Sequence, residues 1–281
     1  LTVGLILGIL ENSQLKGIGR GVEGMHLFIE ASKLAYADRN LYIADSDFVT
    51  VPSQGLMDKA YLKERFTKIT RTPIEQAEPG TPPGSEELLR QLHRHKESAG
   101  TTHFSVVDSY GNSLSLTSTI ETGFGSRLIA SGFLLNNEMT DFAFVPKKND
   151  GLIANRVEGG KRPRSSMSPT IVLKNNKPYL ILGSPGGSRI ISYVAKTIIS
   201  VLDWGMDPQS AINSGHVVNR NGVTEIEEAS DALGFKKGLS QLGHQIKVRN
   251  LNSGIQMIQI NDDGTLVGAA DPRREGLVIG D

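Results

Sequence analysis

The sequence predicts an α+β fold built from packed layers. Three observations point there. Apolar residues fall at helical spacing within the first 40 positions, period-two alternation begins at Thr101, and an apolar helical run at 190–202 is followed again by strand-like segments. Strands, then helices, then strands bury their apolar faces best as stacked layers.

The elements follow in order. Leu1 to Leu10 is apolar, too short to cross a bilayer and without a basic leader, so it reads as a buried helix running into Glu11-Asn12. Val22 to Asn40 places Met25, Phe28, Ile29, Leu34 and Tyr36 at helical spacing, and Leu62 to Ile69 forms a further short helix. Thr72 to Ala99 carries Pro79, Pro82 and Pro83, with His93 and His95 in a charged stretch. It is expected to be an exposed, mobile linker. Beyond it, Phe104 and Val106, then Leu114 and Leu116, alternate with polar residues around Asp108-Ser109-Tyr110-Gly111-Asn112, the pattern of a β-hairpin. Strands at Ile171–Leu173 and Tyr179–Leu182 flank the turn Lys174-Asn175-Asn176-Lys177. A helix opens after Gly186-Gly187, another at Pro208, and strands return at Ile246–Val248 and Ile255–Ile260.

At 281 residues and 38% hydrophobic, the chain is long enough to bury a sizeable core. Thirty basic residues balance thirty acidic ones, so no net charge draws it to nucleic acid or to an anionic membrane. The absence of cysteine excludes disulfides, thiolate catalysis and cysteine-ligated zinc.

One seam carries chemistry. Gly100-Thr101-Thr102-His103 joins the linker to the hairpin, and a threonine there is a candidate nucleophile. A hydroxyl needs a base, and an N-terminal threonine brings its own. Its α-amine, with a pKa near about 7.7–8.0, is partly neutral at physiological pH. That amine exists only once the Gly100–Thr101 bond is broken. Glycine at position 100 admits backbone approaches that a Cβ would block.

Five segments together resemble the γ-glutamyltranspeptidase family: Tyr36-Ala37-Asp38-Arg39, the block Thr101 to Asp141, Lys161 to Thr170, Gly183 to Arg189, and Gly268 to Arg273. They stand in the family's order across nearly the whole chain. The resemblance implies the four-layer αββα sandwich of N-terminal-nucleophile hydrolases. It also implies a division into residues 1–100, the C-terminal part of a large subunit with linker 72–100, and residues 101–281, a small catalytic subunit. The N-terminal part of the large subunit, which in the family supplies an arginine for the substrate's α-carboxylate, is then expected to lie outside this chain.

Carried onto this sequence, the resemblance implies autocatalytic cleavage between Gly100 and Thr101, with Thr101, rather than Thr102, as nucleophile. Thr119 orients its hydroxyl, and Gly186 and Gly187 offer backbone N–H groups to the oxyanion. Two glycines opening a helix suit that role, because the helix N-terminus favours negative charge. Glu121, Glu138 and Asp141 are expected to hold the substrate's α-ammonium, and Ser165 and Ser166 its α-carboxylate. Two departures stand out: Glu121 where many members have Asn, and Arg164 where Leu is common. Arg164 either alters specificity beside the carboxylate site or points to solvent. His103 shares a strand face with Thr101 and is expected to be structural.

The expected activity is γ-glutamyl transfer or hydrolysis on glutathione or another γ-glutamyl compound, with an amino acid, peptide or water as acceptor. No cofactor, metal or nucleic acid is called for, and the family suggests a periplasmic or extracellular location. Two alternatives remain open. One is a glutaryl-type cephalosporin acylase or poly-γ-glutamate processing enzyme of the same fold. The other is a non-catalytic, truncated or uncleaved paralogue acting as an interaction module.

Overall fold

The structure, a computed structural model, describes residues 1–86, 90–91, 100–149 and 151–280. Helix α1 (Thr2–Leu10) buries Leu5, Ile6 and Ile9 against Phe28 and Leu34 of α2 (Val22–Tyr42) and against Ile191 and Ile199 of α4 (Ile190–Leu202). Helix α3 (Lys59–Thr67) starts where Asp58 accepts from the Tyr61 N–H, an N-cap that satisfies one of the helix's open donors. The opposite side of α4 places Ile190, Val194 and Ile198 on Leu180, Leu182 and Met257 of the adjoining sheet. Such burial on both sides explains why apolar residues fall on two faces of 190–202.

That sheet is antiparallel. It comprises β3 (Thr170–Lys174), β4 (Lys177–Gly183), β8 (Gln256–Ile260) and β9 (Leu266–Ala270), in the order β9-β8-β4-β3. Asn175 and Asn176 both take positive φ, as the tight β3–β4 turn requires. A smaller sheet joins β5 (Val217–Val218), β6 (Thr224–Glu227) and β7 (Ile246–Arg249).

The hairpin of β1 (Thr101–Val107) and β2 (Ser113–Thr119) packs across the larger sheet and pairs Thr101 with Thr119. Its inward face is polar. Ser105 donates to the Gln256 carbonyl at 3.3 Å and Ser115 to the Leu182 carbonyl at 2.9 Å. His103 lies against Gly183, where an added Cβ would come 2.3 Å from its ring. The apolar face turns outward, leaving Phe104, Val106 and Leu114 more than 40% exposed. Helices, sheet and hairpin thus form successive layers.

Segment 72–86 is exposed at Glu75, Gln76 and Thr81 and buried at Ala77, Pro82 and Ser85. It is pinned to α2 because that helix carries buried carboxylates that need donors. Glu30 accepts from the Ile74 N–H at 2.8 Å and Asp38 from the Gly80 N–H at 2.8 Å. Asn221 brackets Ala77 through both its N–H and its carbonyl. His93 and His95 lie outside the described residues.

Candidate active site

Thr101 opens β1 and Thr119 ends β2, so their pairing brings two hydroxyls together beside the intact Gly100–Thr101 bond. Thr101 Oγ donates to Thr119 Oγ at 3.1 Å, and Thr119 Oγ donates to the Gly100 carbonyl at 3.3 Å. Thr119 has one proton, and a carbonyl oxygen only accepts, so this order is forced. The Ile120 N–H also donates to the Gly100 carbonyl, at 3.4 Å, and the Glu121 N–H fixes Thr119 Oγ at 2.9 Å. The carbonyl ahead of the candidate nucleophile is therefore polarised from two directions. Glycine is required there: a Cβ on residue 100 would lie 2.3 Å from the Thr122 carbonyl oxygen.

Across the cleft stand the acids. Glu121 occupies a left-handed turn position (φ +74°), and Glu138 and Asp141 bound a single 3₁₀ turn. Ligand oxygens of all three lie within 4.8 Å of one another. Thr140, between Glu138 and Asp141, donates to the Asn137 carbonyl at 3.0 Å and leans toward Glu121. Three converging carboxylates suit an ammonium, which offers three donors. A second group with cation-ligand spacing, His26, Glu30 and His244, is already served by Lys33, whose Nζ donates to Glu30 at 2.7 Å.

Ser165, Ser166 and Gly187 line the same cleft with Thr101, Thr119, Glu121 and Asp141. Gly186 sits one step back, as the residue before the 3₁₀ turn that leads into α4. Its φ of +136° favours glycine, and a Cβ would meet the Tyr193 ring at 2.6 Å. The cleft has about 20 Å³ of free volume, room for one water rather than a substrate.

Arg164 does not point to solvent. It is 5% exposed, donates through Nη1 to the Arg39 carbonyl at 2.9 Å, and its pKa is lowered by burial and by the neighbouring Arg39 charge. His103 is also buried. It bonds Thr117 and Ser105, and burial pushes its pKa down to about 4, so it is neutral at physiological pH.

Sequence reasoning gave no role to Arg39. From α2 its Nη2 donates to Ser166 Oγ at 2.7 Å. Because that oxygen accepts from arginine, the single Ser166 O–H is left to donate elsewhere. The signal was available in Tyr36-Ala37-Asp38-Arg39, where two charges directly follow the Leu34-Ala35-Tyr36-Ala37 run of one helix.

Comparison with known proteins gives the family. The γ-glutamyltranspeptidase family model matches residues 1–280. A glutathione hydrolase proenzyme of Escherichia coli is 40% identical over 277 residues, covering 95% of this chain and 46% of its own. The chain thus spans about half the length of the curated relatives it matches. A γ-glutamyltranspeptidase structure from Helicobacter pylori superposes with a TM-score of 0.56 at 40% identity, over 62% of this chain and 100% of that one. A cephalosporin acylase structure from Bacillus halodurans superposes with a TM-score of 0.81 at 24% identity, over 99% of this chain and 49% of that one. Together with the 40%-identical Helicobacter pylori structure, that likeness shows the layered α+β sandwich of N-terminal-nucleophile hydrolases. The chain belongs to the γ-glutamyltranspeptidase family.

Proposed function

We propose that the protein containing this chain is a self-processing γ-glutamyltransferase and glutathione hydrolase. The observation that carries this reading is the hydroxyl chain from Thr101 through Thr119 to the Gly100 carbonyl, facing an acidic trio across one cleft. In processing, Thr101 Oγ attacks the Gly100 carbonyl carbon. Its proton passes toward Thr119, and Thr119 and the Ile120 N–H steady the oxygen as it gains charge. The C–N bond breaks as the Thr101 nitrogen takes up the proton released from Thr101 Oγ, relayed by Thr119, which leaves the α-amine free and Gly100 as an ester on Thr101 Oγ. Water hydrolyses that ester and releases a Gly100 carboxylate.

The freed Thr101 then has hydroxyl and amine on adjacent carbons. The amine takes the hydroxyl proton as Oγ attacks the substrate's γ-carbonyl. Gly187, with Gly186 behind it, offers N–H groups to the oxyanion. Glu121, Glu138 and Asp141 take the α-ammonium, while Ser165 and Ser166 donate to the α-carboxylate. The leaving amine departs with a proton from the Thr101 ammonium, and the γ-glutamyl ester passes to water or an acceptor amine.

The test is the intact mass of the full-length protein beside a Thr101→Ala control, followed by turnover of γ-glutamyl and glutaryl anilides. Cleavage between Gly100 and Thr101 in the native protein alone, with preference for the γ-glutamyl compound, is expected. Glutaryl preference would move the protein to the acylase branch. An unbroken chain with no turnover would favour a non-catalytic role.

A further inference from the structure

A second cavity, of about 260 Å³, shares Ser188 with the catalytic cleft. Arg39, Asn40, Arg220 and Glu225 also line it. Arg39 is 2% exposed, and its guanidinium makes two hydrogen bonds, both through Nη2, to Ser166 Oγ and to the Ser165 carbonyl. Nε and Nη1 have no acceptor, and no carboxylate approaches within 4.0 Å, among the described residues. Asp141 reaches Arg39 only from beyond that range. Asn40, 8% exposed, also makes no side-chain hydrogen bond among the described residues.

The other wall charges are engaged. Glu225 accepts from Arg189 at 2.7 Å, from Arg249 at 2.9 Å and, more loosely, from Arg220 at 3.4 Å. Its negative charge is already shared among three guanidiniums. Arginine does not give up its proton, so a buried guanidinium without a counter-charge calls for an anion. Burial pulls the Arg39 pKa down from its ordinary value, in keeping with that deficit.

We propose that this cavity is a carboxylate-binding site, in which one carboxylate accepts from Arg39 and from the Asn40 amide. A carboxylate suits this wall, because its two oxygens can accept from the guanidinium and from the amide at once. The inference does not depend on the reaction assigned to Thr101. The carboxylate has two sources: an Asp or Glu side chain from elsewhere in a family-length polypeptide, or a small free acid. The chain aligns with only 46% of its Escherichia coli relative, which leaves ample polypeptide for the first.

The experiment is a crystal structure of the full-length protein, grown without carboxylate or phosphate buffers, alone and soaked with glutarate. Glutarate affinity is measured in solution beside it, for native protein and for Asn40→Ala. Asn40 is chosen because Arg39 also holds Ser166. An Asp or Glu side chain on Arg39 in the unsoaked crystal supports the site with the protein's own acid as occupant. Glutarate there instead, with affinity falling at least tenfold in Asn40→Ala, supports a free ligand. Arg39 facing only water or backbone carbonyls would overturn the proposal. So would glutarate bound at crystal concentration only, or inorganic phosphate binding in preference to it.

Discussion

Thr119 stands 3.1 Å from Thr101, its hydroxyl accepting from one partner in the cleavage and donating to the other. Replacing it with valine keeps the shape but removes the donor to the Gly100 carbonyl and the acceptor for Thr101. Losing one donor to a developing oxyanion costs about 10²–10³ in rate. Thr119→Val is therefore expected to lengthen the precursor's half-life by about that factor, and Thr119→Ser to restore most of it. A mass-spectrometric time course of cleavage checks this; native-like cleavage of the valine variant would remove Thr119 from the mechanism.

Gly100→Ala tests the seam by a different route. The added methyl would meet the backbone of Thr122, which cannot swing aside as a side chain can. Residues 120–122 must shift, and with them the Gly100 N–H bond to the Glu121 carbonyl, 2.6 Å long. A misplacement of about 1 Å costs on the order of 10²-fold. The single uncleaved chain should accumulate, visible on a denaturing gel, while the thermal transition of the precursor stays within a few degrees.

Asp141→Asn separates the substrate classes. A hydrogen bond to a charged group contributes about 1.5–3 kcal/mol, so losing it should lower kcat/KM for a γ-glutamyl anilide by about 10- to 100-fold. A glutaryl anilide has no α-ammonium, and its kcat/KM should barely change. Equal losses on both would show that Asp141 shapes the cleft instead of holding an ammonium.

Much of the scaffold was legible because local signals and burial agree. Ile190–Leu202 follows a double glycine as one apolar run, and the paired asparagines at 175 and 176 mark the β3–β4 turn. The nucleophile, its partner and the acidic trio lie within 41 residues, so the family pattern captures them in one block. What escaped depends on distant pairings. Arg39 meets Ser166 across 127 positions, and Ala77 meets Asn221 across 144. Proline and glycine in segment 72–86 suggested mobility, yet the buried Glu30 and Asp38 recruit its N–H groups. Charged residues on a helix ordinarily signal a solvated face; on α2 they mark contacts with segments far along the chain.

His103 provides a pH dependence whose direction is fixed by its burial. Its pKa falls from an ordinary 6.5 to about 4 because the polar interface between hairpin and sheet cannot solvate a second proton. The unfolded chain binds that proton more tightly, so the stabilising contribution is fully present above about pH 6.5. It declines as pH drops toward 4, by roughly 3 kcal/mol in total. His244, pushed down to about 3, and His216, held well below its ordinary value, act in the same direction. A His103→Gln variant still titrates those two. The difference between its stability curve and the native one therefore isolates His103. Urea unfolding of the precursor at half-unit steps from pH 7 to 4 should show the native curve falling more steeply. Parallel curves would mean that His103 is already solvated in the folded protein, and that the hairpin sits on the sheet more loosely than its bonds to Thr117 and Ser105 indicate.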